Sequence, residues 1–326
     1  MRELPKTELH LHLDCSLSYA VARELDPALT PEGYRRRFIA PPKCGTLAEF
    51  LETAPSGFRL MQSEHALRAV VRDLFGQLAA DGVIYAEIRF APHLHLERGM
   101  RADDVVDVVD DEVARESARS GIAAGVILCT LRHFDRERSL ETARLVERFR
   151  GRKVVALDIA GDEAGFPMDA HVDAFRHAID RGLHRTAHAG EAAGPTSVWE
   201  TLQNLQPSRI GHGVRSIEDP RLIEHLAAAR IHLEVCPSSN VQTNTVTTYD
   251  AHPIARLAAA GVSTGINTDA RTITNLTLTE EYEHLAATFG WSAPDFLARN
   301  LDMVEAAFTD EATKKRLRNE LTRAWG

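Results

Sequence analysis

The chain is short of the features that would tie it to a membrane, to nucleic acid or to an oxidising compartment. No apolar run approaches the roughly 20 residues that a spanning helix needs. The N-terminal "MRELPKTELHLHLD" also lacks the apolar core of a signal peptide. Positive charge is scarce: 38 Lys and Arg against 47 Asp and Glu leave a formal net charge of −9. That excludes nucleic acid and anionic membrane as the main partner, because both call for a clustered basic surface. Cysteine is limited to Cys15, Cys44, Cys129 and Cys236, far apart and without a CxxC pair. Neither a disulfide framework nor a thiolate zinc site is suggested, and a reducing cytoplasm is the expected compartment. Aromatics are few at 6%, yet 44% hydrophobic residues suffice for the sizeable core of a soluble globular protein. A small molecule is the expected partner, and the oligomeric state is left open.

Eight short runs rich in Val, Ile and Leu stand out, at 7–14, 83–92, 122–131, 154–161, 184–191, 208–213, 231–237 and 262–269. Each has the length and composition of a buried parallel strand. Segments of helical period lie between them, among them "ALRAVVRDLFGQLAADG" and "MDAHVDAFRHAIDRG", and several stop at a glycine just before the next strand. Eight such alternations predict a (β/α)8 TIM barrel rather than an open doubly wound sheet. Residues 15–82 are too many for one strand-to-helix connection, so they are expected to add helices over the barrel mouth. No repeat, linker or low-complexity tract divides residues 1–326, which are read as one domain.

Barrel enzymes place their reacting groups at the C-terminal ends of the strands, and here those ends are rich in polar residues. His10 and His12 stand two apart in "HLH", so on a strand both face one side. "HAGE" supplies His188 and Glu191, "GHG" supplies His212 and "NTD" supplies Asp269. Taken singly these are weak signals: a lone strand histidine is usually a satisfied core residue, and an aspartate at a strand end usually caps a helix. Taken together they are hard to explain as structure, because buried ionisable groups are costly unless paired or bound to metal. Three histidines and an aspartate make a zinc ligand set. A metal held by such a set supplies a nucleophile strong at neutral pH, and a nearby carboxylic acid such as Glu191 can move a proton.

Through "PKTELHLHLDCSL", "VIYAEIRFAPH", "VVALDIAGDE", "HRTAHAGE", "RIGHG", "EVCPSSN" and "NTD" the chain resembles the adenosine deaminases of the amidohydrolase superfamily, collinearly over nearly its whole length. The resemblance implies that His10, His12, His188 and Asp269 hold one zinc ion, that Glu191 shuttles the proton, and that His212 orients and stabilises the attacking hydroxide. It implies a backbone contact from Gly161 to purine N3, a ribose contact from Asp14, and cover for the base from Phe50, Leu51, Phe58 and Leu60. The expected reaction is zinc-dependent hydrolysis of adenosine or deoxyadenosine to inosine or deoxyinosine and ammonia. Two other hydrolase patterns are missing. "VCPSSN" lacks the second cysteine of the cytidine-type PCxxC, and "ALDIAGDE" lacks the lysine that usually bridges two metals.

Two positions depart from the family pattern. Ala270 follows the metal aspartate in "GINTDARTIT" where relatives carry an Asp or Asn that meets purine N7, and Cys15 stands where they carry Gly. Both bear on substrate selection, as does Phe58. They leave room for the same chemistry on a modified adenosine such as aminodeoxyfutalosine, whose anionic extension could meet Arg35, Arg36 and Arg37. A solvated helix face is the simpler account of that arginine run. A metal-containing barrel that binds a ligand without turning it over is the rival of a different class.

Overall fold

The eight predicted runs are strands in the computed structural model, which describes residues 1–326. They are β1 (Lys6–His12), β2 (Val83–Phe90), β3 (Ala123–Leu131), β4 (Val154–Ala160), β5 (His184–Ala189), β6 (Arg209–His212), β7 (His232–Val235) and β8 (Thr264–Ile266). All neighbours pair in parallel and in chain order, as a (β/α)8 barrel requires. The ring closes where the Asp269 N–H donates to the His10 carbonyl at 3.0 Å and the His12 N–H to the Asp269 carbonyl at 2.7 Å.

Several predicted runs overshoot the ladder at the C-terminal end, for a physical reason that matters later. Leu13–Cys15 tightens into a 3-10 turn, and His212 and Asp269 take left-handed backbone angles, φ +59° and +63°, from which a strand cannot continue. Between β4 and β5 the backbone ladder is short, pairing only Ala156 with His184 and Leu157 with Arg185. Beyond it, the strands are joined by side chains, with His188 Nδ1 3.2 Å from the Asp158 carboxylate.

The helices form where apolar residues recur on one face behind a capping side chain. In Glu64–Ala80 the Ser63 hydroxyl accepts the Ala66 N–H, and Leu67, Val70, Val71, Leu74, Phe75 and Leu78 are buried against the strands. Each such side chain contributes about 1.5–3 kcal/mol through burial. Ahead of that helix the insertion folds into short helices, Tyr19–Leu25, Pro31–Phe38, Leu47–Leu51 and Pro55–Phe58. A strap holds it down on the far side of the mouth. Lys43 Nζ donates to the carbonyls of Val241, Val246 and Thr247 at 2.8–3.0 Å, and Gln242 Nε2 donates to the Pro41 carbonyl at 2.8 Å. No helix is long and apolar enough to cross a membrane.

Candidate active site

At the C-terminal end of the barrel His10, His12, His188 and Asp269 each present a ligand atom, all within 4.8 Å of one another. His12 Nε2 lies 3.3 Å from His188 Nε2 and 3.3 Å from Asp269 Oδ1, and His10 Nε2 lies 3.4 Å from the same oxygen. Gly211 on β6 makes this approach possible: a Cβ there would meet His10 Cε1 at 3.0 Å and His188 Cγ at 3.2 Å.

The far nitrogens of two rings are tied to carboxylates, which can only accept. His10 Nδ1 is 2.8 Å from Glu234 Oε2, and His188 Nδ1 is 3.2 Å from Asp158 Oδ1. Both Nδ1 atoms therefore carry the proton, which leaves a bare Nε2 lone pair on His10 facing Asp269 and one on His188 facing His12. Lone pairs converging in this way repel unless a cation lies among them, and His10 Nε2 is buried with no hydrogen-bond partner. These donors fit a divalent metal of the zinc type. Burial pushes His12 well below the usual imidazole value, so this ring too is neutral and free to offer a lone pair.

The supporting carboxylates belong to a buried ion network. Arg89 bonds Asp158 at 2.8 Å and Glu234 at 2.6 Å, and Arg209 bonds Glu234 at 2.7 Å. Arg89 and Arg209 keep Glu234 ionised against its burial. Asn267 accepts the N–H groups of Leu9 and His10 at 2.8 and 3.0 Å, and Ser239 donates to Asp269 Oδ2 at 2.7 Å.

Glu191 and His212 face each other beside the ligand set, Oε2 to Nε2 at 3.6 Å. Burial, then the charges of Asp269 and Glu163, pushes the Glu191 carboxyl well above the usual carboxylate range, which keeps a proton on it; Oε1 is buried and unpartnered. Glu163 builds the loop that carries it, accepting the N–H groups of Gly190, Glu191 and Ala193 and the Ser197 hydroxyl at 2.6–3.0 Å. A relay fixes the His212 tautomer. The Ile254 N–H donates to His252 Nδ1 (3.2 Å), His252 Nε2 to Asn240 Oδ1 (3.3 Å) and Asn240 Nδ2 to His212 Nδ1 (3.1 Å). His212 Nε2 therefore holds the hydrogen and aims a donor at the cleft. Burial holds this ring neutral, well below the ordinary imidazole value.

A narrow, partly enclosed cleft opens beside these groups. His12, His188, Glu191, His212 and Asp269 line one part of it; Cys15, Leu47, Phe50, Leu51, Ala270 and Ile273 line another. Gly161 lines it too, at φ +98°, a conformation that side chains resist. Asp14 does not: it is buried, accepts the Ala91 N–H at 3.3 Å, and burial raises its carboxyl to about 6. Phe58 and Leu60 also stand outside the lining. Arg35 pairs with Glu32 and Arg37 with Asp26 on an exposed helix, and none of the three arginines reaches the cleft. Sequence reading passed over Leu47 and Ile273 in the lining and Glu163, Asp158, Glu234 and Asn240 behind it.

A parallel barrel with imidazoles and carboxylates converging at its strand ends defines a hydrolase of the amidohydrolase superfamily. Residues 5–324 match the adenosine deaminase family. Adenosine deaminase 1 of Streptomyces coelicolor is 37% identical over 94% of this chain and 83% of its own length. The adenosine deaminase of Clostridium acetobutylicum is 33% identical over 98% and 97%. The crystal structure of adenine deaminase from Arthrobacter aurescens superposes with a TM-score of 0.90 at 26% identity, covering 98% of both chains. The chain belongs to the adenosine deaminase family, and it is a hydrolase acting on C–N bonds.

Proposed function

We propose that the protein hydrolyses the 6-amino group of a purine nucleoside, with adenosine or deoxyadenosine as substrate, releasing ammonia and the inosine-type product. His10, His12, His188 and Asp269 would hold one zinc ion. When bound, the metal supplies an acidified water, whose pKa falls from about 15.7 to about 7, as nucleophile. The observation that carries this reading is the placement of Glu191 Oε2 3.6 Å from His212 Nε2, beside the four converging ligands and with Asn240 fixing the His212 tautomer.

Glu191 gives its proton to ring N1, which makes C6 electrophilic, while His212 Nε2–H donates to the oxygen that adds there. The C6–N bond then breaks. Of water's two protons one replaces, through Glu191, the proton now on N1, and the other leaves on ammonia. Gly161 meets the N3 edge of the base, and Phe50 and Leu51 cover its face. The purified protein is expected to carry one equivalent of zinc by elemental analysis and to convert adenosine, followed at the purine absorbance. Stoichiometric metal with no turnover of any aminopurine would instead identify a ligand-binding barrel.

A further inference from the structure

The ring order of the barrel orients a purine in the cleft. Glu191 follows β5 and Gly161 follows β4, whereas Cys15 follows β1 and Ala270 follows β8. In a closed ring of eight strands, β4 and β5 lie across from β8 and β1. C6 of a purine is flanked by N1 on one side and by C5, which bears N7, on the other. With C6 at Asp269 and N1 toward Glu191, the N7 edge must therefore lie against the β8–β1 wall.

Beyond the ligands His12 and Asp269, the side chains that this wall turns to the cleft are apolar. Ala270 and Ile273 are buried in one cluster with Leu47 and Phe50, and Cys15 and Leu51 pack onto it. None of these side chains is an amide, a carboxylate or a hydroxyl, and the Cys15 thiol is a weak donor. A ring nitrogen pressed against such a wall gives up its water without a side-chain partner, whereas a C–H at the same place gives up nothing.

We infer that Ala270 and its apolar neighbours make this enzyme indifferent to N7, so that its substrate class includes 7-deazapurine (pyrrolo[2,3-d]pyrimidine) ribonucleosides bearing the same exocyclic amine. The inference rests on the deaminase reading above and adds which edge of the base goes unread. The six-membered ring, where the bonds change, is the same in both substrates, so the reaction balances as before.

The test measures kcat/KM of the zinc-loaded enzyme on adenosine and on 7-deazaadenosine, with inhibition constants for inosine and 7-deazainosine as a second, binding readout. The expected result is 7-deazaadenosine used at least as well as adenosine, or within about threefold of it, and the two products bound alike. Ala270→Asp should move the ratio of the two kcat/KM values toward adenosine by about tenfold or more, and Ala270→Ser should move it the same way by less. If wild-type enzyme prefers adenosine by more than about threefold and also binds inosine more than about threefold tighter than 7-deazainosine, N7 is read by a group outside this wall and the inference is wrong; a preference in turnover alone reflects the lower electrophilicity of C6 in the deaza ring. If neither nucleoside is turned over and neither product binds, the deaminase reading itself fails.

Discussion

The peptide bond between Asp269 and Ala270 separates two walls built on different principles. On the Asp269 side all the reacting groups but His12 have a second group behind them: Glu234 behind His10, Asp158 behind His188, Ser239 behind Asp269, Asn240 behind His212 and Glu163 behind Glu191. On the Ala270 side the side chains that line the cleft, Ala270, Ile273, Leu47, Phe50 and Leu51, pack against one another. The polar wall fixes protons and lone pairs to particular atoms, which chemistry requires, and each of its buried groups is costly if left alone. The apolar wall fixes only shape. The first is therefore intolerant of substitution and the second is the place where substrate choice is free to change.

The comparison breaks most sharply at Glu191. Glu191→Gln keeps the shape of the polar wall and removes its transferable proton, so kcat is expected to fall by about 10³-fold while inosine binding by calorimetry is retained. A joint loss of turnover and binding would mean that Glu191 holds the cleft open rather than moving a proton.

One layer further back, Glu163→Gln leaves a side chain that accepts with one oxygen instead of two. The loop carrying Glu191 loosens, and kcat should drop about 10- to 100-fold with KM and zinc content little changed. Loss of zinc in this variant would place Glu163 with the metal instead.

The smallest effect is expected at Glu281, behind the polar wall, where burial raises the carboxyl to about 8 and one oxygen accepts the Ser238 N–H at 3.1 Å. An acid raised on folding binds its proton in the native state but releases it in the unfolded chain from about pH 4.5 upward. The native state then holds more protons, so stability falls as pH rises from that value to about 8. Glu281→Gln should remove this slope, raising Tm by about 2 °C or more at pH 9 relative to wild type and by less at pH 5. Equal shifts at both pH values would assign the effect to packing rather than to ionisation.

Much of this was legible in the sequence, and unevenly so. The eight strands showed themselves as Val, Ile and Leu runs, and His10, His12, His188, His212, Glu191 and Asp269 showed themselves because each sits where such a run ends in polar residues. Strand ends were overestimated where left-handed residues stop the ladder, since a histidine or aspartate at positive φ leaves no mark in composition. The supporting groups were missed for another reason. Arg89 in "AEIRF", Asp158 in "ALDIAG" and Glu234 in "HLEVC" are charges inside otherwise apolar strands, and a charge there needs a partner across the barrel. That signal was present; which partner each one takes depends on the closed ring and cannot be counted along the chain. Nearness to the mouth was likewise a poor guide in the insertion, where Phe50 and Leu51 line the cleft and Phe58 and Leu60 do not.

The closure of the barrel through Asp269 also has a temporal side. The first strand to leave the ribosome carries His10 and His12, and the residue that seals them in comes after the last strand. On the proposed ligand set, half of the site waits, exposed, while most of the polypeptide is still being made. The tetradentate site forms only when first and last staves meet, so metal capture reports that synthesis of the barrel is finished.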